Sequence, residues 1–339
     1  MMGPRLIWVP CELHAHTHHS DGRLTVAEMA QEARDLGLDI VALTDHNTNS
    51  GIREIPDAER KSGVTIIPGM ELTTFHGHLL ALGTTTYVEW RSLSRANIGS
   101  AISAIHAAGG LAGVAHPFHP GSPFCTGCFW DFDGPDWSHV DYLEVWSEAD
   151  PWKKLKNKRA FHLWNDLLDS GHRIAAVSAR DFHAPDRACL PAVTYLGIEE
   201  RASDTGELIE GAKEALRAGR VFVTLGPLLS MAAHGLREEK RYGPGETIAL
   251  DTAGTLLQVD VAWESNERRR FWEQQIESLV VVVQGNRGEL AHGRVESGQG
   301  SRGFSLTREG NRWIRAELHG RVHGEETMIA FTNPVYLEQ

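Results

Sequence analysis

The sequence gathers histidine and carboxylate side chains into short clusters, and the first cluster reads HAHTHHSDG from His14 to Gly22. His14 and His16 lie two residues apart at the end of a strand-like segment, so both imidazoles point to one face of that strand. Two imidazoles with a nearby carboxylate, here Asp21, are typical ligands of a divalent metal ion. The alternative is an exposed polar loop, which the recurrence of the pattern farther along the chain disfavours.

Four more polar clusters each follow an apolar segment with the length of a buried strand. They are Asp45 and His46 after residues 40–43, Glu71 with His76 and His78 after residues 64–67, His116 after residues 111–114, and Asp181 with His183 after residues 174–177. Because the carboxyl ends of parallel strands meet at one rim, these side chains are predicted to lie together. Five strands that deliver histidine and carboxylate to one rim would build a site for several metal ions.

Segments of strand length alternate with amphipathic segments of helix length in the part of the chain that carries these clusters. Strands are predicted at residues 6–13, 40–43, 64–67, 79–82, 111–114, 142–145, 174–177 and 194–198, and helices at 25–36, 94–108, 151–168 and 204–218. The first helix has a capping box formed by Thr25 and Glu28, and Gly37 ends it. This alternation predicts an α/β domain over residues 1–227, with a parallel sheet or barrel and helices outside it.

The pattern changes after Gly226-Pro227, where strand-like segments are separated by Gly, Asn and Glu. These segments are residues 256–263, 276–283, 304–306, 313–318 and 328–331, and only residues 266–274 have a helical pattern. A smaller all-β, sandwich-like domain is therefore predicted over residues 228–339.

The set of motifs resembles that of the PHP (polymerase and histidinol phosphatase) metallohydrolases. The resemblance rests on the His14-x-His16 cluster, Thr44-Asp45-His46, Gly69-x-Glu71 with Gly77-His78, His116-Pro117 and Asp181-x-His183, and it covers residues 11–225. Residues 219–227 and 332–336 are similar to stretches of the CehA/McbA-type subgroup. The resemblance implies a distorted (β/α)7 barrel that binds two or three divalent ions, which are Mn, Fe or Zn.

The resemblance also implies how the ligands are shared among the ions. One ion would be held by His14, His16, Glu71 and Asp181, a second by Glu71, His78 and His116, and a third by Asp21, His46 and His183. His76 is the alternative to His78, which fits the family motif better. A bridging Glu71 is physically reasonable, because one carboxylate can bind two cations and screen their repulsion.

Three further residues are candidates for roles beside the metal ions. Arg180 precedes Asp181, where family members often carry a small residue, and its guanidinium could clamp a phosphate oxygen. The alternative for Arg180 is an ion pair with a neighbouring acid. His19 is a candidate for contact with substrate, and Asp45 either orients a ligand or caps a helix before Asn47.

The hypothesis for the reaction is hydrolysis of a small phosphomonoester or nucleotide by a hydroxide that bridges two ions. Divalent ions lower the pKa of bound water, so a nucleophile exists at neutral pH. One alternative is hydrolysis of a carbamate or carboxylic ester on the same site, with a small anionic or aryl ester as substrate. A second alternative is a metal-binding module without catalysis.

Composition limits the partners of the 339-residue chain, which carries a formal net charge of −12. Duplex nucleic acid is disfavoured as a partner, because a protein binds it by neutralising its phosphates with basic residues and this chain is acidic. The absence of a signal-peptide pattern and of a long apolar run, together with four cysteines, predicts a cytoplasmic protein without a membrane segment. Whether the chain forms an oligomer is left open.

An aromatic segment between His116 and Asp141 is predicted to overhang the site as a loop. Its aromatic residues are Phe118, Phe124, Phe129, Trp130, Phe132 and Trp137. They could stack on an aryl or base group of the substrate, or form a small hydrophobic cluster under the loop. Cys125 and Cys128 have the spacing of half a zinc knuckle, but a redox pair or unremarkable thiols fit better because no second half exists.

Overall fold

The computed structural model describes residues 6–120, 129–185, 191–200, 204–235, 240–249, 256–273, 275–295, 300–308 and 310–338. The chain divides into two compact units, Leu6–Arg217 and Ala218–Gln339. None of the described helices combines the length and the apolar character that a bilayer crossing requires. The domain boundary near residue 228 stays a prediction.

The unit Leu6–Arg217 is a mixed α/β structure built on one continuous run of paired strands. Its strands are β1 (Leu6–Glu12), β2 (Ile40–Leu43), β3 (Thr65–Thr74), β4 (Gly77–Leu82), β5 (Leu111–Ala115), β6 (Tyr142–Ser147), β7 (Ala175–Ala179) and β8 (Val193–Glu199), paired in the order β8-β1-β2-β3-β4-β5-β6-β7. All residues of β2, β5 and β7 are buried, as expected for strands covered on both faces.

Along the chain, the helices of this unit alternate with its strands, as the sequence pattern predicts. They are α1 (Val26–Asp35), α2 (Ile55–Ser62), α3 (Ile98–Ala107), α4 (Leu155–Asp169) and α5 (Thr205–Ala218), with short 3₁₀ turns at Ser50–Glu54, Trp137–His139 and Pro151–Lys153. The capping box of α1 is confirmed, since the Thr25 side chain accepts from the Glu28 N–H and the Glu28 side chain accepts from the Thr25 N–H. The sequence prediction missed α2, because only Ile55 and Ala58 are buried in that highly charged segment.

The direction of three strand pairs differs from the expectation of a parallel sheet. The pairs β1/β2, β2/β3, β5/β6 and β6/β7 are parallel, whereas β8/β1, β3/β4 and β4/β5 are antiparallel. Only Phe75 and His76 separate β3 from β4, and a parallel connection would need a much longer crossover. The sheet is therefore mixed, and its closure into a (β/α)7 barrel stays a prediction.

The unit Ala218–Gln339 is built mainly of strands. They are β9 (Val221–Thr224), β10 (Leu228–Gly235), β11 (Thr247–Ala249), β12 (Leu256–Glu264), β13 (Ile276–Gly285), β14 (Gly288–Arg294), β15 (Gly300–Thr307), β16 (Trp313–Val322), β17 (Glu325–Thr332) and β18 (Val335–Glu338), with one short helix, α6 (Arg269–Trp272). β10, β12 and β15 form a separate sheet, while β13 and β17 flank β16 on either side. Each strand predicted here is present, and the sandwich arrangement stays a prediction.

Candidate metal centre

Most of the predicted ligands lie within a few residues of a strand end in the unit Leu6–Arg217, whereas Glu71 lies inside β3 and Asp21 lies in the loop after β1. Beyond the strands, Ala15 bridges Phe182 and His46 bridges Glu71, both in parallel, so the chain segments that carry the ligands stay in register. The structure brings all nine predicted ligands together in overlapping groups. These residues are His14, His16, Asp21, His46, Glu71, His78, His116, Asp181 and His183.

The first group contains His14, His16, Glu71 and Asp181, whose potential ligand atoms all lie within 4.8 Å of one another. The His14 Nε2 atom lies 3.4 Å from Glu71 Oε2 and 3.4 Å from Asp181 Oδ1. The His16 Nε2 atom lies 3.0 Å from Asp181 Oδ1 and 3.0 Å from His14 Nε2. Two imidazole nitrogens and two carboxylate oxygens therefore face a single point.

The second group shares Glu71 with the first and adds His78 and His116. Glu71 Oε1 lies 2.8 Å from His78 Nδ1 and 3.2 Å from His116 Nε2, while Oε2 faces the first group. The two oxygens of one carboxylate thus point into two neighbouring groups. His78 is placed here, as the motif predicted, whereas the His76 ring packs against Phe75 and Phe132.

The third group contains Asp21, His46 and His183 together with His16. Asp21 Oδ2 lies 3.4 Å from His46 Nε2, and Asp21 Oδ1 lies 3.1 Å from His183 Nε2. His16 was assigned only to the first group by the resemblance, but its Nδ1 atom lies 3.9 Å from Asp21 Oδ1. One imidazole therefore faces two groups, and the three groups are contiguous.

Burial and hydrogen bonding make this arrangement suitable for divalent cations. His14 Nδ1 lies 2.8 Å from Glu144 Oε1, so the neutral ring carries its proton there and presents the Nε2 lone pair to the first group. Within the described chain, the buried His16 Nδ1 makes no hydrogen bond, and Glu71 Oε2 has imidazole nitrogens of His14 and His16 at 3.4 Å and of His46 at 2.7 Å. Buried lone pairs that converge without donors are costly, and bound cations would satisfy them. The mixed nitrogen and oxygen donors suit Mn, Fe or Zn.

Burial and the neighbouring charges of the centre also shift the pKa values of its ligands. Burial lowers the pKa of His14, but the Glu71 and Glu144 carboxylates outweigh burial and hold that pKa well above its ordinary value. Burial also opposes the shift at His46, whose pKa is raised to about 10 by Glu71 and Asp21. Burial raises the pKa of Glu71, but the surrounding imidazoles, led by His14, hold it well below its usual range. Protons and metal ions therefore compete for this centre.

Asp45 organises the loop that carries the first ligands. Its carboxylate accepts hydrogen bonds from the Thr17 N–H at 2.7 Å, the Thr17 hydroxyl at 2.7 Å and the Ser20 hydroxyl at 2.6 Å. Gly22 closes the same loop, and a Cβ atom there would lie 2.3 Å from the His16 carbonyl oxygen. Asp45 therefore holds ligand positions through the backbone instead of capping a helix.

Two buried glutamates support the centre and were missed by the sequence analysis. Glu144, in the middle of β6, also accepts from the His116 N–H at 2.9 Å, and Glu12 accepts from the His14 N–H at 3.2 Å. Both residues are almost inaccessible to solvent. A lone charged residue inside an otherwise apolar strand was the signal that could have identified Glu144.

The two other catalytic candidates, Arg180 and His19, are paired with carboxylates outside the ligand set. The Arg180 Nε atom donates to Glu12 Oε2 at 3.0 Å, and the guanidinium stands 4.7 Å from the centre of the Phe182 ring. This is the ion pair that the sequence analysis gave as the alternative to a phosphate clamp. His19 lies 2.8 Å from Ser50 Oγ through Nδ1 and 2.9 Å from Glu54 Oε1 through Nε2.

The described part of the aromatic segment forms a cluster of rings. The Trp130 ring centre lies 4.9 Å from that of Phe132 and 6.3 Å from that of Trp137. This agrees with the small hydrophobic cluster, while stacking on substrate stays a prediction. Phe124, Cys125 and Cys128 lie outside the described residues.

Comparison with known proteins adds the family. The model of the PHP domain matches residues 12–107. An uncharacterized protein of Methanocaldococcus jannaschii is 31% identical over 120 residues, which cover 32% of this chain and 68% of that protein. This chain belongs to the PHP family. The PHP match spans β1 to α3 and includes the predicted ligands His14, His16, Asp21, His46, Glu71 and His78.

Other relatives are named enzymes that match over shorter stretches. A 5'-3' exoribonuclease of Haemophilus influenzae is 38% identical over 63 residues, or 19% of this chain and 23% of that enzyme. A 3',5'-nucleoside bisphosphate phosphatase of Chromobacterium violaceum is 33% identical over 76 residues, or 21% of this chain and 27% of that enzyme. The chain thus spans only a small part of either enzyme's length.

A solved structure shares the fold of the whole chain. It is a two-domain protein of Bacteroides vulgatus described as containing a predicted PHP-like metal-dependent phosphoesterase. The TM-score is 0.51 at 15% sequence identity, and the match covers 99% of this chain and 98% of that one. The likeness supports a mixed α/β PHP fold with a second domain.

Proposed function

We propose that the chain is a metal-dependent phosphoesterase that cleaves a small phosphomonoester or nucleotide. The observation that carries the proposal is the sharing of Glu71 and His16 among three contiguous groups of ligands, of which the first two are largely buried. Such sharing fits two or three divalent ions held close together, an arrangement common in enzymes of phosphoryl transfer. The names of the exoribonuclease and the bisphosphate phosphatase among the relatives support phosphate ester chemistry.

The ligands would divide among the ions as the three groups indicate. One ion would be held by His14, His16, Glu71 and Asp181, a second by Glu71, His78 and His116, and a third by Asp21, His46 and His183 with His16 close by. When bound, divalent ions would lower the pKa of water and stabilise negative charge on phosphoryl oxygens.

The protein's own residues would hold this centre in place. Glu144 keeps the proton of His14 on Nδ1, which leaves Nε2 as the ligand atom. Asp45 fixes the loop between His14 and Asp21 through hydrogen bonds to Thr17 and Ser20. Burial of His14, His16 and Glu71 excludes bulk water from one side of the centre, which strengthens electrostatic interactions with a bound anion.

A carbamate or carboxylic ester hydrolase remains the second candidate, since the same centre could activate water against a carbonyl carbon. Phosphate is favoured because the named relatives act on phosphate esters. Because one relative is named an exoribonuclease, the end of an RNA strand is a further candidate substrate. The CehA/McbA-type subgroup is part of this proposal, as is the choice among Mn, Fe and Zn.

A side-by-side assay tests the proposal. The chain would be purified with added Mn, its metal content measured, and its activity assayed on p-nitrophenyl phosphate, bis-p-nitrophenyl phosphate and p-nitrophenyl acetate. We expect two or three ions per chain and phosphate ester hydrolysis that is lost in EDTA. Turnover of the acetate alone would favour the ester hydrolase, and bound metal without any turnover would favour the non-catalytic module.

A further inference from the structure

Lys156 is a nearly buried lysine beside the candidate metal centre. It lies in the first turn of α4, and its side chain is only 12% exposed. Its ammonium contacts the Glu148 carboxylate and lies 3.1 Å from His119 Nδ1. Lysine is almost never buried without a specific partner, because removing the charge from water is costly. We name Lys156, Glu148 and His119 the Lys156 cluster.

The Lys156 cluster contacts the second ligand group directly. The backbone N–H of His119 donates to the His116 carbonyl oxygen at 2.9 Å. The two imidazole rings pack edge to face, with their centres 5.2 Å apart. His116 is in turn 3.2 Å from Glu71 Oε1. Glu148 directly follows β6, the strand whose Glu144 supports His14. The ammonium therefore lies one side chain away from a candidate metal ligand, at the same rim.

The ammonium retains the capacity to bind an anion. A lysine ammonium has three N–H donors, and in the described chain Glu148 and His119 account for two of them. The Glu148 carboxylate is shared with a second lysine, because Lys154 Nζ lies 3.3 Å from its Oε2 atom. Two lysines therefore share one carboxylate beside the second ligand group.

We propose that Lys156 binds a phosphate oxygen of the substrate at this centre. Arg180, for which the sequence left a phosphate clamp and an ion pair open, is paired with Glu12. An ammonium is a compact point charge that binds phosphate well without the fixed geometry of a guanidinium. The inference rests on the proposed phosphoesterase function and assigns to it a substrate-binding residue outside the ligand set.

The experiment compares Lys156→Met with Lys154→Met in the full chain loaded with Mn. Lys154 is a matched control, since it contacts the same Glu148 carboxylate but its side chain is 41% exposed. Affinity for inorganic phosphate is measured by calorimetry, together with KM and kcat for p-nitrophenyl phosphate and the metal content. Lys156→Met should weaken phosphate binding about 10- to 100-fold and raise KM, the range for a hydrogen bond between charged groups. Lys154→Met should change the phosphate affinity much less, and both should keep their metal.

Two further variants separate binding from folding. Lys156→Arg, which keeps the charge, should recover part of the phosphate affinity. Lys156→Met combined with Glu148→Gln removes the pair together, so a weakened phosphate affinity in a stably folded double variant would support the proposal even if the single variant folds poorly.

The outcomes distinguish this inference from the proposed function. If the wild-type chain binds and hydrolyses phosphate esters while Lys156→Met matches Lys154→Met in phosphate affinity, the assignment of Lys156 is wrong and the phosphoesterase stands. If the loaded wild-type chain neither binds inorganic phosphate nor hydrolyses p-nitrophenyl phosphate, the proposed function fails and the assignment of Lys156 fails with it.

Discussion

Glu71 in the unit Leu6–Arg217 and Glu317 in the unit Ala218–Gln339 are both buried, with 0% and 5% of their surfaces exposed. Glu317 accepts hydrogen bonds from Arg315 Nε at 2.8 Å and lies 2.8 Å from His319 Nε2, so its charge is matched by side chains of its own strand. Glu71 instead faces imidazoles from four separate chain segments, and its Oε2 atom lies 2.7 Å from His46 Nδ1 and 3.4 Å from His14 Nε2.

The different surroundings of Glu317 and Glu71 indicate how a buried carboxylate that stabilises the fold is distinguished from one that binds metal. A buried charge that stabilises a fold is matched locally by hydrogen-bonded partners, as at Glu317. A buried charge that faces several imidazoles from separate chain segments is matched either by protons on those rings or by metal ions, which compete for the same lone pairs. If this interpretation holds, removal of Glu71 should affect metal content, whereas removal of Glu317 should affect stability.

The largest effect is expected for Glu71→Gln. The variant should lose about 10³-fold or more in phosphate ester turnover, because a group that holds two of the charge-stabilising ions is removed. Its metal content, measured by elemental analysis, should fall by at least one ion per chain. Glu317→Gln is the matched control and should retain its metal. Full activity and full metal content in Glu71→Gln would defeat the assignment of the ligands.

Glu317→Gln should lower the free energy of unfolding by about 2 kcal/mol, because the Arg315 guanidinium, only 3% exposed, would lose its charged partner. Chemical denaturation at neutral pH measures this change. The exposed pair of Glu326 and Arg321 in the same unit provides the control, and Glu326→Gln should leave stability unchanged. Equal stability of Glu317→Gln and the wild type would show that the paired carboxylate is dispensable.

Glu144→Gln should weaken metal binding about 10- to 100-fold without emptying the centre. The amide can still accept a hydrogen bond from His14, but it lacks the negative charge that makes the imidazole a stronger ligand. Titration of the metal-free protein with Mn measures the affinity. An affinity equal to that of the wild type would mean that Glu144 serves packing alone.

The smallest effect concerns the pH dependence of stability at Glu317. Burial raises the pKa of Glu317, but Arg315 and His319 outweigh burial and hold it below its usual value. A carboxylate with a depressed pKa stabilises the fold above its unfolded pKa of about 4.3, and that contribution is lost as the pH falls through the folded pKa. The stability difference between the wild type and Glu317→Gln should therefore narrow in acid. Denaturation curves at about pH 7 and pH 4 provide the comparison, and a constant difference would contradict it.

The strand ends and the ligand types were predictable from the sequence because both are local signals. A short apolar segment followed by His, Asp or Glu identifies a strand and the residue at its end, as at Ile40–Leu43 and His46. The structure brings these residues together in the predicted groups, with His16 added to the third, and their binding of metal stays a prediction.

The partners of Glu144 and Arg180 were not predictable, since each lies far away in the sequence. Glu144 meets His14 across 130 positions, and Arg180 meets Glu12 across 168 positions. Such contacts depend on strand order and direction, and no local pattern specifies those. The antiparallel direction of β4 was not predictable because the apolar pattern ends at Ile67, whereas β3 continues to Thr74 and leaves only Phe75 and His76 before β4.

Gly22 is a position at which substitution is expected to be harmful although the residue itself takes no part in the chemistry. It contributes no ligand atom, yet any side chain there would collide with the backbone of His16 and Thr17. In a scan of all single substitutions, position 22 should therefore be as intolerant as the ligands around it. Alanine, the smallest change available, would already displace the loop from which His16 and Asp21 project. If glycine is invariant at this position, the reason is that the neighbouring backbone leaves no space for a side chain. A comparison of sequences without the structure would instead suggest a catalytic role.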